Sequence, residues 1–124
     1  MPPATALIAP FHEEVRHPGA AFISPQRLSR ALDVSLTALS HTAALHRNSF
    51  RKPQSETVQR KLRDIARIVS RAEAMLGSRD RAVYWFRNQP LADYAGRTAE
   101  DLVAQGHAAA VNAYLDDVET GATG

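Results

Sequence analysis

Apolar residues recur along the middle of this chain with the spacing of an α-helix. Between Ser55 and Gly77 they stand four, three, four, three and four residues apart, at Val58, Leu62, Ile65, Val69, Ala72 and Leu76. This spacing places all six on one helix face, and Ile68 and Met75 widen the stripe. Ser55 is a good N-cap and Gly77 a good residue to follow a helix, so we predict one long helix between them.

The opposite face of the predicted helix carries Arg60, Lys61, Arg63, Arg67 and Arg71. A stripe as regular as the apolar one predicts a core-facing helix. The alternative is that part of it forms an interface between two copies of the chain. The other helical patterns are short, and short helices are unstable unless they pack together. We therefore predict an all-α fold of five or six helices. We expect its core to contain Leu62, Ile65, Val69, Trp85, Phe86, Leu102, Val111 and Leu115.

Composition narrows the class of protein. The chain has 124 residues and no cysteine, so disulfides and thiolate chemistry are excluded. Its longest apolar run is far below the roughly 20 residues that a membrane span needs. The N-terminus lacks the basic and apolar regions of an export signal. We expect a cytoplasmic protein that makes no contact with a membrane.

Charge is distributed unevenly along the chain. Residues 16–81 carry 13 Lys/Arg against 5 Asp/Glu, whereas residues 82–124 carry 2 against 6. A basic middle beside an acidic end indicates two different partners, one of them polyanionic. The alternative is that these charges only keep the helices solvated.

The first 54 residues divide into two segments, an N-terminal arm and a region of short helices. Four prolines and Gly19 fall within residues 1–22, which we interpret as a flexible N-terminal arm with at most a short turn near Phe11. Residues 23–54 contain two short helical patterns, capped by Ser24 and Ser35, and then a basic loop. Leu28 to Ser40 resembles a helix-turn-helix of the Xre/Cro repressor type, with Asp33 standing where such turns usually have Gly.

The second helix of that pair would present small, nearly uncharged residues to a nucleic acid. We expect Thr37, Ser40 and His41 to give modest base discrimination, since none of them reads a base bidentately. Arg47, Arg51 and Lys52 follow in the basic loop, and we expect them to contact phosphate groups of operator DNA. The alternative is a helix-turn-helix scaffold that binds DNA weakly or not at all.

The predicted long helix spans residues 55–77. Residues 78–124 follow it as a separate C-terminal module. Ser78 starts a helix that contains the only tryptophan, Trp85, beside Phe86, and Pro90 ends it. Thr98 and Asp101 have the spacing of a capping box at the start of another helix, which Gly106 ends. A last helix from about His107 has an apolar side and an acidic side.

The order of these features resembles antitoxins of the Xre/MbcA/ParS family. The matching residues are Trp85-Phe86, Pro90, Gly96-Arg97-Thr98, Asp101-Leu102-Val103, Gly106 and the final Leu115-Asp116-Asp117-Val118-Glu119-Thr120-Gly121. The resemblance covers roughly residues 24–121. Ala99 stands where Pro is common, and Pro there would only pre-set the first helical turn.

The resemblance implies a partner and a role. In that family the module at 78–124 is a toxin-binding domain, and the partner is a RES-domain toxin that consumes NAD by degrading it or transferring ADP-ribose. The antitoxin neutralises the toxin by direct binding, with its C-terminal end blocking the active site. It is also typically a homodimer, and the complex often represses its own operon.

We expect the toxin contacts to lie at the C-terminal end. A site that holds a pyrophosphate should be rich in hydrogen-bond donors. The acidic residues Asp116, Asp117 and Glu119 would occupy such a site. Tyr114, Leu115 and Val118 would form an apolar anchor beside them. A glycine-containing tail would follow, with Gly121 and the carboxylate of Gly124. The loop from Tyr94 to Arg97 is the alternative contact surface.

An enzyme reading has little support. The sequence has no Gly-rich phosphate loop and no obvious nucleophile-base arrangement, and His41 and His46 are spaced poorly for a metal. We therefore expect no catalytic residue, no metal and no cofactor. The alternative function is a stand-alone helix-turn-helix transcriptional regulator whose C-terminal part only dimerises or senses.

Overall fold

The computed structural model describes residues 11–121, so the prediction for Gly124 lies outside the described residues. Within 11–121 the fold is all-α, as predicted, with seven α-helices rather than five or six and only isolated bridges in place of strands. The helices are α1 over residues 11–15, α2 (Pro25–Ala31), α3 (Leu36–Thr42), α4 (Glu56–Leu76), α5 (Arg79–Asn88), α6 (Ala99–Ala104) and α7 (Ala108–Thr120). Short 3₁₀ helices lie at Arg47–Arg51 and Ala92–Tyr94.

Most helix starts are set by local side-chain chemistry. A side-chain oxygen accepts a backbone N–H three residues on at five N-caps, Ser24, Ser35, Ser55, Ser78 and Thr98. Thr98 and Asp101 complete the predicted capping box, with both reciprocal bonds at 3.0 Å. Each cap is worth about 1 kcal/mol, because it satisfies a donor that the helix itself leaves free.

Helix α4 is the centre of the core, against which α5 and α7 pack. Its apolar stripe is buried from Val58 to Ala72, as predicted, but Leu76 at its end is 41% exposed. Because the chain's own helices cover the stripe, most of its length has no apolar surface left for an interface between two copies. The buried residues of the whole described chain form one contiguous cluster.

The prediction of a loose arm is wrong for residues 11–22. Phe11 and Val15, on α1, are fully buried. Arg79 lies 4.7 Å from the centre of the Phe11 ring and pairs with both Glu14 and Glu73, at 2.6 Å each. Prolines ended the helical pattern in the sequence, but a single turn with two apolar residues is enough to pack against the α4–α5 corner.

A tight turn joins α2 and α3. Asp33 has a φ of 57°, in the left-handed region that glycine usually occupies, and Leu32 and Leu39 beside it are buried. The basic segment that follows is a 3₁₀ helix rather than a loop. Phe50 within it is buried and anchors it to the core.

The C-terminal helices contribute four of the eight expected core residues. Phe86, Leu102, Val111 and Leu115 are buried, as predicted. Trp85 is only partly buried and packs against the edge of the core, which corrects the expectation that it lies inside. The indole therefore remains open to a neighbouring surface.

Candidate protein-binding site

An apolar groove of about 220 Å³ lies where the end of α4 meets α5 and α7. Its walls come from all three helices, at Ala72, Met75, Leu76, Trp85, Tyr114, Leu115 and Val118. Trp85 and Tyr114 stack across it, with ring centroids 6.4 Å apart and planes 17° from parallel. We call this feature the groove.

Two of the three exposed large apolar residues of the described chain line the groove. Leu76 is 41% exposed and Val118 39%, and the third such residue, Tyr84, is 66% exposed but does not line the groove. Exposed apolar side chains that cluster around stacked aromatic rings are typical of a surface that another protein covers.

Arg71 fixes the position of α7 beside the groove. Its guanidinium donates to the carbonyl and to Oδ1 of Asn112, at 3.3 and 3.0 Å, and to Asp116 Oδ1 at 2.7 Å. Glu119 lies 3.8 Å away, and the Arg71 side chain is only 16% exposed. The sequence placed Arg71 on a solvated face, and no local pattern links it to residues 41 or more positions further on.

The predicted toxin contacts are thereby separated into groups. Asp116 and Glu119 are exposed but pair with Arg71, whereas Asp117 is exposed and forms no ion pair within residues 11–121. Val118 is partly exposed at the groove. Leu115 belongs to the core and only its edge lines the groove. Gly121 ends α7 with a φ of 76°, a left-handed conformation that glycine adopts without strain.

The Tyr94–Arg97 loop is tied to the fold. An antiparallel bridge joins Leu91 to Arg97, and the Tyr94 hydroxyl donates to the carbonyl of Ala110 at 3.3 Å. Arg97 donates through Nε to the carbonyl of Tyr94 at 3.0 Å. Both predicted side chains therefore have partners within the chain, and the exposed tip of the loop is Ala95 and Gly96.

A second surface surrounds the basic 3₁₀ helix. Arg47, Arg51 and Lys52 are exposed, and none of them forms an ion pair within residues 11–121. Two shallow cavities of about 340 and 300 Å³ flank this helix, and Arg51 lines both. Gln26 of α2 also lines the second cavity, beside Arg47. Gln26 lies far from Arg47 in the sequence, so no local pattern points to it. Its amide can form hydrogen bonds with a base edge.

The three residues predicted on α3 differ in their availability. Thr37 and His41 are exposed. Ser40 is buried, and its hydroxyl donates to the carbonyl of Thr37 at 2.6 Å. The prediction that Ser40 contacts a base is therefore wrong, because its only proton is used within the helix and its side chain faces the core.

The part of the chain that the structure describes contains no cluster of three or more His, Cys, Asp or Glu side chains placed to bind a metal ion. None of its helices is both long and apolar enough to cross a bilayer.

Residues 71–121 match a family model described as the antitoxin Xre/MbcA/ParS C-terminal toxin-binding domain. The match starts at Arg71, ends at Gly121 and includes every residue that lines the groove. No curated protein and no solved structure shows significant similarity to the chain.

Proposed function

We propose that this chain is an antitoxin that neutralises a RES-domain toxin by direct binding. One observation carries the proposal: the segment that matches a toxin-binding domain is also the segment that forms the groove. The RES identity of the toxin rests on the resemblance of residues 24–121 to the family, in which such toxins consume NAD.

The groove provides the apolar part of the proposed interface. Trp85 and Tyr114 are large, rigid side chains that lose little conformational entropy on binding, and such aromatic residues dominate the binding energy of protein interfaces. Val118 and Leu76 form its exposed rim. A toxin surface that inserts one or two apolar side chains would bury all four together.

The acidic end of α7 provides the specific part. Asp117 is exposed and has no cation within 4 Å among residues 11–121, so it is available to a donor-rich toxin cleft. Asp116 and Glu119 already share Arg71, and they would orient α7 rather than enter the cleft. The C-terminal end would then block the active site as a charge mimic of the dinucleotide.

The experiment compares two single substitutions on α7. Val118→Asp places a charge in the groove, and Ala109→Asp places the same charge on the opposite side of the helix, since nine residues make two and a half turns. The partner in the assay is a RES-domain toxin, which the family resemblance implies is encoded next to this chain. Binding is measured by calorimetry and toxin activity by NAD consumption.

We expect the wild type and Ala109→Asp to bind the toxin equally and to stop NAD consumption. Val118→Asp should weaken binding by about 30-fold, which corresponds to the loss of one interface hot spot of about 2 kcal/mol. Full inhibition by Val118→Asp would exclude the groove as the binding surface. Absence of wild-type binding would exclude the antitoxin function with this toxin.

A truncation tests the blocking end separately. Deleting residues 117–124 keeps the buried Leu115 and the Arg71–Asp116 pair, so the fold should survive. If the end blocks the active site, the truncated chain should bind more weakly, because it lacks Asp117 and Val118, but still through Trp85 and Tyr114, and toxin saturated with it should keep most of its NAD consumption. Inhibition equal to that of the whole chain would show that blocking comes from another surface.

A second proposed function is binding of operator DNA, either with the toxin or as a stand-alone regulator. Arg47, Arg51 and Lys52 favour it, since they form no ion pair in the part of the chain that the structure describes and phosphate contacts supply most of the affinity of such proteins. Replacing Arg51 and Lys52 by Ala should flatten the salt dependence of DNA binding by about one to two units of slope. An unchanged slope would show that this surface does not contact DNA.

We propose a homodimer as part of that second function, since a palindromic operator requires two copies of the DNA-contacting helices. The stripe of α4 is covered within one chain, so the contact between copies must lie elsewhere. Sedimentation equilibrium of the whole chain tests this point. A monomer at high micromolar concentration would exclude the dimer.

A further inference from the structure

Two charged side chains of the C-terminal module contact the α2–α3 pair. Arg87, on α5, donates through Nη1 to the carbonyl of Asp33 at 3.4 Å. Glu100, on α6, accepts a hydrogen bond from the Thr42 hydroxyl at 3.3 Å. Asp33 is the strained residue of the turn before α3, and Thr42 is the last residue of that helix. The module thus touches both ends of α3, and we call these two contacts the seam.

The seam is weakly held. Both hydrogen bonds are longer than the usual range for their donor and acceptor types. The single proton of the Thr42 hydroxyl has a second acceptor, the carbonyl of Ala38, at 3.2 Å. Nε of Arg87 is buried and has no hydrogen-bond partner within the described chain. Buried polar groups usually have a hydrogen-bond partner, so the Arg87 guanidinium could donate one more hydrogen bond than it does in this contact.

The two charges of the seam lie near each other without pairing. Burial raises the pKa of Glu100, and the neighbouring charge of Arg87 opposes that rise. Among the described residues, however, no nitrogen of Arg87 comes within 4.0 Å of a carboxylate oxygen. The polar hold of α5 and α6 on α3 therefore consists of single hydrogen bonds and of no ion pair among the described residues.

The seam shares a short helix with the groove. Trp85, in the groove, stands two residues before Arg87 on α5. Within this helix of ten residues, a restraint on Trp85 also restrains the backbone that carries Arg87, because hydrogen bonds between successive turns hold that backbone. A protein that clamps Trp85 against Tyr114 would immobilise α5, and with it the guanidinium that holds the Asp33 turn.

We propose that Arg87 and Glu100 are positioning residues that transmit occupancy of the groove to α3. A protein bound in the groove would hold α3 more firmly, so that binding of DNA at α3 loses less conformational freedom. By linkage, DNA would strengthen binding at the groove by the same factor. This inference rests on the proposed function, since it requires a protein in the groove and DNA at α3.

The test uses the whole chain, a catalytically inactive form of the adjacent RES-domain toxin, and duplex DNA from upstream of the gene. Arg87→Met removes the guanidinium but keeps the apolar stem, and Thr42→Val removes the hydroxyl without changing its shape. Arg81→Met is the matched control, because Arg81 lies exposed on the same helix. Toxin affinity is measured first, and DNA affinity then with and without saturating toxin.

In the wild type and in Arg81→Met we expect the toxin to tighten DNA binding by about five-fold or more, the lower end of typical allosteric coupling. In Arg87→Met and Thr42→Val the ratio should fall close to one, while toxin affinity stays within about three-fold of the wild type. A wild-type ratio of one, or variants that retain the wild-type ratio, would overturn the coupling.

Amide hydrogen exchange separates this inference from the function on which it rests. Toxin binding should slow exchange in α3 of the wild type and not in Arg87→Met, with no DNA present. Toxin that binds without changing α3 overturns the coupling and leaves the antitoxin function intact. A wild-type chain that binds no toxin overturns both, and the first affinity measurement shows which case applies.

Discussion

Arg71 offers the sharpest test of how the fold positions α7. Arg71→Met keeps the apolar stem that packs beside the groove and removes the guanidinium. The variant loses hydrogen bonds to Asn112 and an ion pair with Asp116, whose side chain is 68% exposed. Because Asp116 is exposed, the pair itself is worth no more than about 1 kcal/mol. The two bonds to Asn112 add a similar amount, which brings the expected loss to about 1–2 kcal/mol.

Thermal unfolding followed by circular dichroism measures this loss. For a domain of this size it corresponds to a fall in Tm of roughly 4–8 °C. Arg63→Met is the matched control on the same helix, since Arg63 pairs at 3.0 Å with Glu56 and both side chains are mostly exposed. The control should lose less than about 0.5 kcal/mol. If the two variants have the same Tm, Arg71 does not fix α7, and the separation of Asp117 from Asp116 loses its basis.

Three further predictions concern the rest of the fold. Ala95→Gly should stabilise the chain by about 0.5 kcal/mol in urea unfolding, because Ala95 has a φ of 59°, whereas Ala113→Gly in the middle of α7 should cost about 1 kcal/mol. Equal signs would refute the backbone argument. Phe11→Ala should cost about 3–5 kcal/mol in the same assay, since the ring is fully buried, and a loss below 1 kcal/mol would restore the loose arm. The pKa of Glu100 is raised in the fold by burial, so the folded state binds the proton more tightly, and stability should fall as pH rises above the ordinary glutamate pKa of about 4.3. Glu100→Gln should lack this component in the difference from wild type, and identical pH profiles would contradict the assignment.

Local chemistry accounts for the features that could be predicted. An N-cap needs only one side chain and the backbone three residues on, so Ser24, Ser35, Ser55, Ser78 and Thr98 marked their helices correctly. The same holds for the apolar stripe of α4, because its period is a property of a single helix. All-α architecture and most of the core follow from these two kinds of signal.

Contacts between residues far apart in the sequence could not be predicted in this way. A helical period shows which residues share a face, but not where the covering helices end. Leu76 continues the stripe and is nevertheless exposed at the groove, because neither α5 nor α7 covers that last turn fully. The groove, which we propose as the binding surface, thus begins where the core pattern still continues.

Polar residues show the same division. Ser40 and Arg71 both stand at positions that a helical pattern assigns to solvent, yet Ser40 faces the core and Arg71 joins α4 to α7. Helix content, helix starts and the core face of α4 depend on contacts within a few residues, and the sequence alone determines them. The groove, the Arg71 network and the contact of Arg87 with the Asp33 turn depend on how whole helices pack, and only the tertiary structure decides them.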